Sequence, residues 1–146
     1  APAAAPPAPD AAPPAPPAVS PGAGLQRILW VDDHPENNAF EVEALQRKGV
    51  IIDQVSSNDD ALTAVASGRP IDVVITDMGR DTEGPNAGLV LLAALRERDV
   101  RVPVIIYASA QAVARTRATA VEAGAYGVTS SATELMSLLA GLPAAG

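Results

Sequence analysis

The sequence predicts an α/β fold: a doubly wound parallel sheet with helices on both faces. Two observations carry this. From Leu25 onward, apolar runs of strand length alternate with helical patterns, and the runs are continuously apolar rather than alternating with polar residues. Continuous runs mark strands buried on both faces, and strand followed by helix is the rhythm of crossovers between parallel strands. A chain of 146 residues, 48% of them hydrophobic, is long enough to build one domain with a real core.

RILWV (27–31) is the first strand. The helix over 35–49 has Pro35 in its first turn and Gly49 closing it. VIIDQV (50–55) is the second strand, and the helix over 58–68 takes Asn58 as N-cap and Gly68 as its stop. IDVVITD (71–77) is the third strand, followed by a polar loop, MGRDTEGPNA, and a helix with an apolar face over 88–99. VPVIIYA (102–108), a helix over 111–124, AYGVT (125–129) and a helix over 132–142 complete five strand–helix repeats.

Residues 1–24, APAAAPPAPDAAPPAPPAVSPGAG, are almost entirely Ala and Pro. Proline at this density opposes helix and sheet and favours an extended spacer. Without a basic start and a continuous apolar centre it is not a secretory signal. It reads as a linker or tail ahead of a folded domain over 25–146, and a linker implies a further domain N-terminal to it. The net charge of −7 argues against nucleic acid, whose binding needs a basic surface. No run approaches a membrane-spanning helix, and the absence of cysteine fits a reducing, cytoplasmic setting.

ILWVDDH (28–34) places two adjacent carboxylates, Asp32 and Asp33, directly after a buried run. Neighbours on a strand face opposite ways, so the strand must end there. Asp77 ends the third strand. Parallel strands bring their carboxyl ends to one edge, where open sheets of this class form their sites. Asp is common as a turn cap at any one strand end. Three at corresponding ends point instead to a cation, and an all-oxygen set favours Mg2+. A carboxylate beside Mg2+ is also a nucleophile toward phosphoryl groups. His34 follows the pair, but imidazole suits Mg2+ poorly. Trp30 is expected to fill the core beside the site and to report on it by fluorescence.

ILWVDDHPENN, VVITDMG, PVIIYASA and EAGAYGV together resemble the landmarks of the receiver domain of two-component response regulators, over residues 27 to 142. The resemblance implies a flavodoxin-like five-stranded sheet in the order 2-1-3-4-5 with five helices. It implies Asp77 as phosphoacceptor and a metal site of Asp32, Asp33, Asp77 and the backbone carbonyl of Gly79. A histidine kinase or phosphotransfer protein would be the donor, and the fourth helix, fifth strand and fifth helix the output surface.

The chain departs from the family pattern at several places. The family's Ser or Thr after strand four falls at Ala108 counting forward from Pro103, and at Ser109 counting back from Gly124; the apolar phase favours Ala108. The family's strand-five Lys falls at Ser130 or Ser131. Lys48, the only lysine, belongs to the end of the first helix and cannot replace it. A hydroxyl donates a hydrogen bond but carries no charge against a phosphoryl group. The aromatic switch position falls at Val128, with Tyr126 two residues earlier on the same expected face. The loop between Asp77 and Gly88 is longer than the family pattern, and Arg80 within it is a candidate for the lost positive charge.

The expected function is a phosphorelay receiver, signalling through protein contacts and not an enzyme in its own right. The alternative is a pseudo-receiver that binds partners without phosphorylation. A phosphatase with an aspartate nucleophile would need an acid where Gly79 stands, and a nucleotide-binding fold would need a glycine-rich loop where the acid pair stands.

Overall fold

The structure is a computed structural model that describes residues 25–80 and 83–142. The segment read as a linker, 1–24, lies outside the described residues, as do 81–82 and 143–146. Five strands, β1 (Arg27–Val31), β2 (Ile51–Val55), β3 (Val73–Thr76), β4 (Val104–Tyr107) and β5 (Gly127–Thr129), pair in parallel in the order β2-β1-β3-β4-β5. Helices α1 (Ala39–Arg47), α2 (Asn58–Ala66), α3 (Ala87–Glu97), α4 (Ala110–Glu122) and α5 (Ala132–Ala140) cover them. The expected class and strand order are both present.

The continuous apolar runs are explained by two-sided burial. Ile28 and Trp30 of β1 pack with Val42 and Leu45 of α1 and with Leu135 and Leu139 of α5. The alternate residues Leu29 and Val31 pack with Ala61 of α2 and with Leu91, Leu92 and Leu95 of α3. Helix α4 adds Val113 and Ala120 against Met78, Ile106 and Val128. Strand β2 is an edge, which is why Asp53 and Gln54 are tolerated in it and Ile51 is half exposed.

The register sets the site. Val31 pairs with Thr76, Thr76 with Ile106, and Ile106 with Val128, so these strands end at one level. One more hydrogen bond is made beyond each end. Asp32 N–H donates to Val55 O (3.0 Å), Asp77 N–H to Val31 O (3.2 Å) and Ala108 N–H to Thr129 O (3.0 Å). The residues that follow the strands are thereby held as firmly as the strands themselves.

Local differences from the sequence reading have physical causes. The first helix opens as a 3-10 turn over Pro35–Asn38, and the α-helix starts at Ala39. Asn38 does not cap it, because its side chain is turned to Asp32. Ser57, not Asn58, caps α2, its Oγ accepting from Asp60 N–H at 3.1 Å. Strand β4 starts after Pro103, which has no N–H to give the ladder, although its carbonyl accepts from Val74 at 2.9 Å. Ile71, Val102 and Ala125 are packed against the core without being strand, since apolar burial needs no ladder.

The β3–α3 loop closes on itself through a bridge: Arg80 N–H donates to Gly84 O and Gly84 N–H to Arg80 O, each at 2.9 Å. Gly84 has φ +94°, a conformation that suits glycine. Beyond the loop, Gly88 of α3 lies against the backbone of Asp77. A Cβ there would stand 2.4 Å from the Asp77 carbonyl oxygen and 3.2 Å from Met78 Cα, both backbone atoms. Gly88→Ala is therefore expected to lower stability by about 1–3 kcal/mol, as overpacking does, with urea unfolding as the measurement. An unchanged midpoint would mean that α3 can shift without cost.

Candidate functional site

Both acids of the ILWVDDH stretch lie beyond the end of β1, which removes the conflict of opposite facing. Asp32 is 9% exposed and held at both oxygens: Oδ1 accepts from His34 N–H (2.7 Å) and Oδ2 from Asn38 Nδ2 (2.8 Å). Asp33 and Asp77 are more open to solvent but still largely covered. One carboxylate oxygen from each of Asp32, Asp33 and Asp77 lies within 4.8 Å of the others. These residues line a cleft of about 460 Å³ at the carboxyl edge of the sheet, with Gly79, Tyr107, Ala108, Ser109 and Ser130 around it.

Burial pushes the Asp77 carboxyl up from the usual range to about 7; Arg80 opposes this, while Asp32 and Asp33 add to it. Without a cation the carboxyl therefore keeps its proton well above the range of an ordinary aspartate.

Arg80 is the largest departure from a solvated loop residue. Its side chain is wholly buried beside Asp77. Nε donates to Asp77 Oδ1 (2.9 Å), Nη2 to Thr76 Oγ1 (2.6 Å) and Nη1 to Glu83 Oε1 (2.7 Å) and to Asn58 Oδ1. Thr76 Oγ1 in turn donates to the Asp77 carbonyl at 2.9 Å. Asn58 donates its backbone N–H to Glu83 Oε2 (2.9 Å) and its Nδ2 to Ala87 O (3.1 Å). Positive charge therefore does reach Asp77, from below rather than from β5.

The ambiguous positions separate in space. Ala108 directly follows β4, and Ser109 is the N-cap of α4, its Oγ accepting from Ala112 N–H at 3.1 Å. Ser130 lines the cleft, whereas Ser131 caps α5 by accepting from Glu134 N–H at 3.2 Å. Lys48 is the C-cap residue of α1, at the opposite edge of the sheet. Tyr126 does not share the surroundings of Val128: Val128 packs under α4, while the Tyr126 hydroxyl lies beside Gly141 at the end of α5. His34 lines the cleft, with Nδ1 3.6 Å from Glu36 and Nε2 3.9 Å from Asp33. Trp30 is buried and meets Tyr107 edge to face at 6.2 Å.

Several participants were not foreseen. Asn38 was read as a helical residue and Asn58 as a cap, and Thr76 was lost within an apolar run. Glu83 and Arg115 were also missed. Arg115 of α4 lines the cleft and donates to Asn86 Oδ1 (2.8 Å) and Pro85 O (3.0 Å), tying α4 to the β3–α3 loop. Two asparagines after an acid pair, at one helical turn, were the available signal for Asn38. Nothing local marks Asn58 or Glu83, which meet Arg80 only through the fold.

The family described as the response regulator receiver domain matches residues 28–140. Among solved structures, a response regulator receiver domain from Clostridium thermocellum is 24% identical, with 79% of this chain and 91% of that chain covered and a TM-score of 0.66. Response regulator TrrA of Thermotoga maritima, solved in complex with Mg2+ and BeF, is 24% identical over 79% of this chain and 100% of that one, with a TM-score of 0.62. Chemotaxis protein CheY4 of Vibrio cholerae, crystallised at low pH, is 18% identical over 82% and 99%, with a TM-score of 0.67. At these identities the likeness carries the fold alone. No curated protein matches the chain. Among the described residues no helix is long and apolar enough to cross a membrane.

Proposed function

The chain belongs to the response regulator receiver domain family, and from that membership we propose that Asp77 accepts a phosphoryl group from a histidine kinase or phosphotransfer protein. Receiver domains are signalling modules rather than classical enzymes. The observation that carries the reading is the convergence of Asp32, Asp33 and Asp77 at the sheet edge, with oxygens within 4.8 Å of one another. Such a set is unfavourable without a cation and, being all oxygen, suits Mg2+. Asp32, Asp33, Asp77 and the Gly79 carbonyl are the residues that would hold it. When bound, Mg2+ neutralises the carboxylates and the oxygens of an incoming phosphoryl group.

The chain's own residues do the rest. The bond from Arg80 Nε to Oδ1 fixes the rotation of the Asp77 carboxylate and leaves its other oxygen to attack phosphorus. As that O–P bond forms, the P–N bond of the donor phosphohistidine breaks, and the imidazole nitrogen takes up a proton from solvent. His34 N–H and Asn38 keep Asp32 aimed into the cleft. Ser109 already caps α4 through its Oγ, so its hydroxyl proton is what it can offer a phosphoryl oxygen. In this reading residues 1–24 are the spacer to a further domain, output passes through protein contacts, and the setting is the cytoplasm, as the family supports.

The test is a titration with Mg2+ and then beryllofluoride, an acyl phosphate mimic, read by NMR and by Trp30 emission. Mg2+ is expected to shift Asp32, Asp33 and Gly79, and beryllofluoride to bind wild type but not Asp77→Asn. Because the Asp77 carboxyl is pushed up to about 7, Mg2+ must displace its proton. Apparent Mg2+ affinity should rise by about tenfold per pH unit below that value and level off above it. If neither ligand binds, the phosphoacceptor reading fails and a constitutive binding surface replaces it.

A further inference from the structure

Resting on the reading of Asp77 as phosphoacceptor, we propose that Arg80 is the positioning residue that senses phosphorylation of Asp77 and carries it to the first turns of α2 and α3. The guanidinium is buried and joined to oxygens of Asp77, Thr76, Glu83 and Asn58. It is planar and rigid, so Nε cannot move without moving Nη1 and Nη2. Nη1 holds both Asn58, the first residue of α2, and Glu83. Asn58 passes the link on to the carbonyl of Ala87, the first residue of α3. One continuous set of hydrogen bonds therefore runs from Asp77 to the starts of two helices.

Phosphorylation changes what Arg80 faces. Before it, with Mg2+ bound, Nε meets a full carboxylate. Afterwards the Asp77 oxygens belong to an acyl group without formal charge, and the negative charge sits on the phosphoryl oxygens. The guanidinium keeps its charge but its acceptor loses one, so the ion-paired bond to Oδ1 weakens while a new anion draws the guanidinium. Either displacement strains the bonds of Nη1 to Asn58 and Glu83. The residues at the ends of β4 and β5 bring no charge to the phosphoryl group: Ala108 has no hydroxyl, Ser109 and Ser130 line the cleft with hydroxyls alone, Ser131 caps α5, and Arg115 is bound to the rim of the loop. The response accordingly leaves the site on the α2–α3 side rather than through α4 and β5.

The experiment uses the full chain with Mg2+, followed by beryllofluoride. Fluorine NMR reports binding, and proton–nitrogen spectra that include arginine Nε report the response. In wild type, Arg80 Nε and the amides of Asn58, Glu83 and Ala87 should shift on beryllofluoride binding. In Asn58→Ala, beryllofluoride should still bind and Arg80 Nε still shift, while the shift at Ala87 of α3 is lost, because the side chain that reaches its carbonyl is gone. In Arg80→Lys the shifts in α2 and α3 should be lost, because one ammonium cannot span these acceptors, with Asn58→Ala as the variant in which beryllofluoride binding is retained. Should Asn58→Ala not fold, Glu83→Gln keeps the shape, removes the charge and should reduce the α2 shifts, since Glu83 joins Arg80 to the Asn58 N–H. The proposal is overturned if beryllofluoride binds wild type and Arg80 Nε stays still, or if Ala87 responds equally in wild type and Asn58→Ala. Absence of fluorine binding in wild type would instead remove the phosphoacceptor reading, and this inference with it.

Discussion

Arg80→Met is expected to reduce the free energy of unfolding by about 3–5 kcal/mol, the range seen when one partner of a buried ion pair is deleted. The methionine fills much of the same space, so the loss is mainly polar. It leaves the Asp77 and Glu83 carboxylates without their shared cation and removes the donors to Asn58 and Thr76. The side chain is wholly buried, so water does not replace those bonds in place. Urea unfolding of metal-free protein above pH 7, where Asp77 is ionised, is the measurement. Adding Glu83→Gln to Arg80→Met should recover part of the loss, because one stranded charge is then removed. A loss below about 1 kcal/mol would place Arg80 among ordinary surface pairs and contradict its burial.

Asp77→Asn should abolish beryllofluoride binding and also change how stability depends on pH. The Asp77 carboxyl sits near 7 in the folded protein against 3.8 when unperturbed. Between those values the native state holds a proton that the unfolded state has released. Wild-type stability without metal must therefore fall as pH rises from about 4 to 7, with the full cost of the buried charge present above 7. Asp77→Asn removes that slope. Above pH 7 the variant should be more stable than metal-free wild type by on the order of 1–2 kcal/mol, discounted for the solvent that still reaches the group and for the anion lost opposite Arg80. Mg2+ should reverse the ranking, since only wild type gains from it. Parallel pH slopes for the two proteins would mean that Asp77 titrates as an ordinary carboxyl.

The sheet and the acid cluster were legible because both follow from one-dimensional patterns. ILWV, VVI and VIIY are apolar or aromatic without interruption, so they mark central strands, and the acids that follow two of these strands fall on one edge in a parallel sheet. Helix starts were less legible. Asn58 looks like a cap and Asn38 like an interior helical residue, but each side chain is drawn to a partner outside its own helix: Ala87 and Arg80 for Asn58, Asp32 for Asn38. Arg80 was readable as a candidate cation, yet its burial was not. A loop arginine is ordinarily solvated, and only the meeting of Thr76, Asp77, Glu83 and Asn58 makes a closed site for it. Tyr126 was misplaced because period-two facing was applied to a residue that precedes β5 rather than lying within it.

The bridge between Arg80 and Gly84 has a consequence for how this loop can vary. The chain enters at Arg80 and returns beside it at Gly84, so the added length produces no net displacement before α3 begins. Closing a loop costs free energy that grows only with the logarithm of its length. Lengthening or shortening the span between the two bridge partners should therefore change the entropy of the unfolded chain slightly and leave the approach of Gly88 to Asp77 untouched. Length variation that keeps Glu83 on Arg80 is insulated from the approach of α3 to Asp77 at this point in the chain, whereas a single methyl group at Gly88 is not.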